Sequence, residues 1–188
     1  METQVLSKYD SMNIFFLSLS PKEAAEFHGD KHVIKMILET AQMLYSAHWV
    51  LNPLKLPENA YKLAHKNHPC SVWVRTSLYN YLWLCSLGYW LCREYTHRYS
   101  KIHKTEAHID WLFANTPSVP RINFTEPPQA MPLEYKKDSV VEAYRLFYIE
   151  SKIKQRGIVK YTKRDVPDFL EGILLNLLPN SVVDTKLD

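Results

Sequence analysis

Two stretches of the chain, residues 30–50 and 70–99, contain no proline and a single glycine, Gly88. Runs of that length without breakers, with apolar residues recurring every three or four positions, read as long helices and commit the chain to a mainly α architecture. The punctuation around them agrees. Ser20-Pro21-Lys22-Glu23 joins a cap residue, a first-turn proline and an acidic side chain three residues after the cap. That pattern starts a helix that runs to about Phe27, breaks or bends near Gly29 and continues from Asp30 to about Val50. Asn52-Pro53 and Leu56-Pro57 form a turn, followed by a short helix over 58–64. The helix over 70–99 is dense in aromatic residues and forms the centre of the core. A short helix covers 105–114, and five prolines between Thr116 and Leu133 impose an extended loop. Helices over 138–155, stopped by Gly157, and 164–178 complete the chain. Met12 to Ser20 is the only stretch that resembles a strand. The expectation is one compact multi-helix domain over 13–178 with a long central helix, a proline-rich loop and at most a short N-terminal strand. A flexible arm, 1–12, precedes it and a tail, 179–188, follows.

Composition removes several function classes. The four glycines are widely scattered, so neither a GxGxxG turn nor a GxxxxGK[ST] phosphate loop exists. A GxSxG nucleophile turn is missing, and Cys70, Cys85 and Cys92 form no CxxC pair. Three cysteines without such spacing read as reduced core thiols in a cytosol-like reducing compartment, with no disulfide. The first residues lack the basic-then-apolar order of a secretory signal. The longest uncharged run, 76–92, is shorter than the roughly 20 residues of a bilayer span, so no membrane helix is expected. With 23 Lys and Arg against 20 Asp and Glu, the net charge is +3. Attraction to nucleic acid is therefore weak unless that charge is gathered locally.

The sharpest local feature lies on the second helix. At 100° per residue His28, His32, Lys35, Glu39, Gln42 and Ser46 share one narrow polar stripe, while Val33, Ile37, Ala41 and Leu44 hold the opposite face. Apolar Ile34, Met36, Leu38 and Met43 flank the stripe. A polar row between apolar shoulders fits the wall of a pocket; the plainer reading is a solvent-facing strip with a Lys35–Glu39 pair worth a few tenths of a kcal/mol.

His65-Lys66-Asn67-His68-Pro69, with Trp73 and Arg75 beyond it, is either a capped helix start or an anion site at unpaired backbone N–H groups, with Lys66 beside them. The stretch from Arg93 through Arg98 to Lys104 mixes cations and aromatics, as a backbone-tracking surface does, although aromatics at helical spacing also build cores. The loop 123–132 is stiff enough to hold Glu126 or Gln129 over a pocket, or simply wraps the helices. His28, His32, His65 and His68 lack the cysteines or HExxH pattern of a metal centre, so neither metal nor cofactor is expected.

Taken in order, Lys35…Glu39…Gln42, then Asn67-His68-Pro69 with Trp73 and Arg75, then Glu94…Arg98-Tyr99 resemble a group of phage and large-DNA-virus proteins. The resemblance covers about Met12 to Phe169, including the DKHVIKM, HKNHP and FTEPPQAMP segments. That group is distantly similar to the pyrimidine-dimer DNA glycosylases of the endonuclease V-like type. The resemblance implies a compact helical protein that bends DNA, flips a base and cuts the glycosidic bond with an N-terminal amine, helped by a helix carboxylate and arginines. It makes Glu39 the carboxylate, with Lys31, His32 and Lys35 as its basic neighbourhood, and Lys35 and His32 as catalytic partners. Gln42, Lys66, Asn67, His68, Arg75, Arg98 and Gln129 are the candidate contacts to substrate and phosphate.

The chain departs from that pattern at its start. Eleven residues precede Met12, and neither Glu2 nor Asn13 is a small residue of the kind that permits removal of the methionine before it. The amine is thus absent or displaced, with Lys31 or Lys35 as substitutes if burial lowers their pKa. The implied function is viral nucleic-acid processing, cleaving an N-glycosidic bond of damaged or modified DNA in an infected host cell. The alternative is a non-catalytic nucleic-acid or nucleotide-binding module.

Overall fold

A computed structural model describes residues 12–177, and they form a mainly helical single domain. The helices are α1 (Pro21–Glu26), α2 (Asp30–Leu51), α3 (Pro69–Val74), α4 (Leu78–Tyr99), α5 (Glu106–Ala114), α6 (Val140–Tyr148) and α7 (Glu171–Leu177). Most of the expected arm and all of the tail lie outside the described residues. No described helix is long and apolar enough to cross a membrane. Cys70, Cys85 and Cys92 are buried free thiols.

The two breaker-free stretches supply the frame. Helices α2 and α4, 22 residues each, make the most extensive helix contact, and α1 and α5 pack against α4. Half of the expected capping box forms, with Ser20 Oγ accepting from the Glu23 amide at 3.3 Å; the return bond is relayed, since the Ser20 amide donates to Ser18 Oγ at 3.1 Å and Ser18 Oγ donates to the Glu23 carboxylate. The expected 70–99 helix is two helices. Thr76 Oγ1 turns back to the Trp73 carbonyl at 2.7 Å, and Ser77 caps a new start by accepting from the Tyr79 amide at 3.2 Å. Local hydroxyl bonds win over helix continuation there because they satisfy the end of α3 and the start of α4 at once.

Three further expectations are corrected. Residues 58–64 form a turn and an irregular segment, where the Tyr61 carbonyl accepts from Trp49 Nε1 at 2.8 Å instead of an intrahelical amide. The last helix starts at Glu171 rather than 164, after a short 3₁₀ turn over Asp168–Leu170 that Pro167 introduces. Met12 to Ser20 forms no strand, and there is none among the described residues. Its residues 14–17 instead thread the core with 0–2% exposure. Phe15 sits among His32, Phe147 and Tyr148 at ring distances of 4.9, 5.8 and 5.3 Å. Side chains stand in for a ladder: Arg145 Nε donates to the Leu17 carbonyl at 2.9 Å and Trp83 Nε1 to that of Leu19 at 2.9 Å.

The proline-rich segment is the wrap that its composition allowed. Trp73 Nε1 donates to the Thr125 carbonyl at 2.9 Å, and Tyr144 donates its hydroxyl proton to that of Pro128 at 2.6 Å. After α6 the chain widens into a π-type turn over Ile149–Lys154, reverses at Gly157 with φ +61°, and returns as a strap along the start of α2. Gly29 makes that return possible. A Cβ there would lie 2.4 Å from Ile158 Cγ2, so only glycine lets the strap lie this close. Asp30 Oδ1 and Oδ2 then accept from the Thr162 amide and hydroxyl at 2.8 and 2.6 Å, tying strap to helix.

Candidate functional site

The strap and the first turns of α2 enclose a cleft of about 230 Å3 lined by Lys31, His32, Lys35, Lys152, Arg156 and Ile158. Four of the six are cations and none is a carboxylate. Two lengths of chain far apart in sequence thus gather a positive charge that the whole-molecule total of +3 conceals. Lys152 is only 3% exposed, with its Nζ 5.2 Å over the Phe15 ring.

Glu39 stands one helical turn beyond Lys35, its carboxylate 3.1 Å from the Lys35 Nζ. Residue Glu39 is 8% exposed. Burial raises its carboxyl above the usual range, while Lys35, Lys152 and a hydrogen bond from the Asn13 backbone amide pull it back. Desolvation prevails. Asn13 also links Glu39 to the His68-Pro69 corner, because its side-chain oxygen accepts from the Cys70 thiol at 3.5 Å.

Behind the His32 side of the cleft lies a neutral pair. His28, 0% exposed, and His32, 1% exposed, stack with ring centroids 5.1 Å apart. His28 Nδ1 donates to the Ala24 carbonyl at 2.6 Å, and His32 Nδ1 lies 3.2 Å from the Tyr148 hydroxyl, which itself accepts from the Gly29 amide at 2.9 Å. The Nε2 atoms of both rings are buried without a partner. Burial, against the pull of the Ala24 carbonyl, pushes His28 down to about 4, and burial together with neighbouring His28, Lys152 and Lys35 pushes His32 well below 6.5.

This has a consequence for stability. An unfolded chain takes up these protons near pH 6.5, whereas the folded chain refuses one at His28 until about pH 4. Acid therefore favours unfolding, and stability is expected to fall by up to about 3 kcal/mol from His28 alone as pH drops through that window. Glu39 acts in the opposite sense, since its raised carboxyl makes the folded chain hold that proton longer as pH rises. Urea midpoints taken from about pH 7 down to about pH 4.5 should decrease steadily; a constant or rising midpoint contradicts the buried neutral pair.

The stripe on α2 is inward-facing only in part. Lys31, His32 and Lys35 line the cleft, with Glu39 joined to it through Lys35. Gln42 is half-buried one turn further on, and Ser46 is turned back on the Met43 carbonyl at 2.6 Å. His28 precedes α2, so the bend at Gly29 rather than the helical angle sets its position.

The remaining candidates lie outside the cleft lining. His68 is the cap its sequence allowed, Nδ1 accepting from the Cys70 amide at 3.2 Å. Arg75 Nη1 donates to the Lys66 and Ser71 carbonyls at 2.8 and 2.9 Å, closing the corner instead of lining the cleft, while Lys66 and Asn67 are exposed. Gln129 clamps its own loop, exchanging hydrogen bonds with the Lys137 backbone at 2.6 and 3.0 Å.

Arg98, expected at a phosphate, is 3% exposed and committed to the core. Its guanidinium donates to Glu94, to Asp30 and to the Glu26 and His28 carbonyls at 2.9, 3.2, 2.9 and 2.7 Å.

Lys152 and Arg156 escaped the sequence reading. They continue the four-residue spacing of Tyr144 and Tyr148, both fully buried. A cation prolonging a buried tyrosine row is the signal that pointed inward. No group of three or more metal-ligating side chains forms among the described residues. Compared with known proteins, the chain matches no family model, and no curated protein or solved structure is significantly similar to it.

Proposed function

We propose that this is a viral nucleic-acid-processing protein that cleaves an N-glycosidic bond of damaged or modified DNA. The observation that carries this reading is the cleft lining, in which Lys31, Lys35, Lys152 and Arg156 stand without a carboxylate among the described residues, with the buried Glu39 paired to Lys35 at its edge. Clustered cations in a concave site hold phosphate, and a desolvated carboxylate next to them is placed to act where positive charge develops on the sugar. The order of motifs along the chain, with Glu39 in the carboxylate position, supports the same reading.

In this scheme Glu39 stabilises the cationic sugar and receives a proton from the attacking water. The water's hydroxyl ends on C1′, and the departing base nitrogen gains the proton. Lys35 holds Glu39 in place, and the Asn13 amide fixes a carboxylate oxygen. Flipping the nucleotide out of a duplex costs a few kcal/mol, which backbone contacts offset.

The test is incision of plain, abasic and base-modified duplexes by the wild type and by Glu39→Gln. Cutting by the wild type alone supports the reading. Salt-dependent binding by both without any cutting identifies a non-catalytic nucleic-acid-binding module instead. Borohydride trapping of a protein–DNA adduct would replace the water route with an amine nucleophile.

A further inference from the structure

The His68-Pro69 corner, the proline-rich segment and the stretch from Met12 to Ser20 stand out in the sequence, yet none of them lines the cleft. They meet at one buried side chain, Asn13, which is 2% exposed. Its Nδ2 donates to the Ala130 carbonyl at 2.8 Å, and its Oδ1 accepts from the Ile14 amide at 2.9 Å and from the Cys70 thiol at 3.5 Å. Ala130 is held in turn, its amide donating to the Tyr144 hydroxyl at 3.4 Å while that hydroxyl donates to the Pro128 carbonyl. His68 caps the amide of Cys70 and so belongs to the same assembly.

These partners require a carboxamide. A carbonyl only accepts and a backbone amide only donates, so one arm of the side chain must be a donor and the other an acceptor. Aspartate would set an oxygen against the Ala130 carbonyl, and leucine would leave Ala130 and Ile14 without their side-chain partner. The clamp fixes the backbone at residue 13, whose own N–H donates to Glu39.

Two donors therefore act on Glu39, and they differ in rigidity. Lys35 reaches it on a flexible stem whose side chain is 47% exposed, which holds geometry weakly. The residue-13 amide has no rotamer to lose, and its direction is set by buried neighbours in α3, the proline-rich segment and α6. Resting on the reading of Glu39 as the carboxylate that meets the sugar, we infer that Asn13 is its positioning residue: the carboxamide, clamped between Ala130 and Cys70, aims the residue-13 amide at the carboxylate. The corner and the proline-rich segment serve the site through Asn13 rather than by touching substrate.

Among the described residues, the charged groups that face Glu39 are Lys35 on its own helix and Lys152 from the turn after α6. Both stay in place when Asn13 is changed. Donation by an amide favours the ionised carboxylate, so its loss moves the titration of Glu39 to higher pH.

The experiment follows the residue-13 amide and the Glu39 carboxyl by NMR as pH is varied, in the full chain as wild type, Glu39→Gln, Asn13→Ala and Cys70→Ala. In the wild type the amide resonance should move with the midpoint of the Glu39 carboxyl, and that movement should vanish in Glu39→Gln. In Asn13→Ala the carboxyl midpoint should rise and the amide should stop following it. Cys70→Ala removes only the thiol bond, so it should raise the midpoint less, and it remains readable if Asn13→Ala does not fold. Single-turnover cleavage gives a second readout. Asn13→Ala is expected to cut about tenfold more slowly on the acid limb, a deficit that narrows as pH rises, which lost stability alone would not produce.

A wild-type amide that ignores the Glu39 titration overturns the inference. So does a Glu39 midpoint unchanged in Asn13→Ala, or in Cys70→Ala where only that variant folds. Coupled titration in a protein that cuts no DNA supports the clamp and overturns the glycosidic reading alone.

Discussion

Glu39→Gln is expected to lower N-glycosidic cleavage by about 10²–10⁴-fold while changing DNA affinity by less than about threefold. The two amino acids differ little in volume, and a glutamine oxygen can still accept from the Asn13 amide that reaches Glu39. What disappears is the negative charge that would face the cationic sugar and the base that would take the proton from water. Lys35 loses its partner at 3.1 Å, so the cleft becomes more positive and phosphate binding is retained. Folding should not suffer, because burial already disfavours the ionised carboxyl and the amide carries no such penalty. Single-turnover incision measured beside an equilibrium titration separates the two effects. A variant that cuts as the wild type does would exclude Glu39 from the chemistry.

Arg98→Ala is expected to destabilise the fold by about 3–5 kcal/mol, the largest effect of any single polar substitution proposed for this chain. Its side chain is 0% exposed and lies between two carboxylates, Glu94 and Asp30, each 6% exposed. Removing the guanidinium leaves Asp30 without its cation, leaves Glu94 to Arg164 alone, and leaves the Glu26 and His28 carbonyls without their side-chain donor. Arg164, which also pairs with Glu94, is 30% exposed and approaches from the strap side, so it cannot replace the contacts to Asp30 and His28. Lysine should restore only part of the loss, since one ammonium cannot span four acceptors in the fork geometry of arginine. The denaturation midpoint in urea reports this directly; a shift below about 1 kcal/mol would mean that the network contributes little.

The damage should extend to the cleft. Arg98 fastens the turn that carries His28 to Asp30 at the start of α2, and Asp30 in turn holds Thr162 of the strap. Loss of Arg98 loosens the joint on which Lys31 and His32 on one side and Arg156 and Ile158 on the other depend.

Local pattern made much of this legible. The long helices, the Ser20 N-cap and the wrapping proline-rich loop follow from periodicity and punctuation, which are properties of neighbouring residues. The α2 stripe was visible for the same reason, and it supplies His32, Lys35 and Glu39, whereas Lys31 entered only through the resemblance. The opposite wall was missed although Lys152 and Arg156 continue the spacing of the buried Tyr144 and Tyr148, because nothing local says that this segment, which widens into a π-type turn, packs beside the start of α2. Arg98 misled for a related reason. Its basic-aromatic surroundings fit a nucleic-acid surface equally well, and only the tertiary approach of Asp30 and two carbonyls reveals a core ion pair. Residues 58–64 failed as a helix because Trp49 and Thr105, distant in sequence, claim the carbonyl and hydroxyl of Tyr61.

Whether the cleft grips a phosphate backbone is tested most directly by the salt dependence of DNA binding, compared between the wild type and a double Lys31→Ala, Arg156→Ala variant. Each cation in contact with phosphate contributes about 0.9 to the slope of log affinity against log salt on duplex DNA, so the variant's slope should be shallower by about 2. An unchanged slope, or wild-type binding indifferent to salt, would contradict the account.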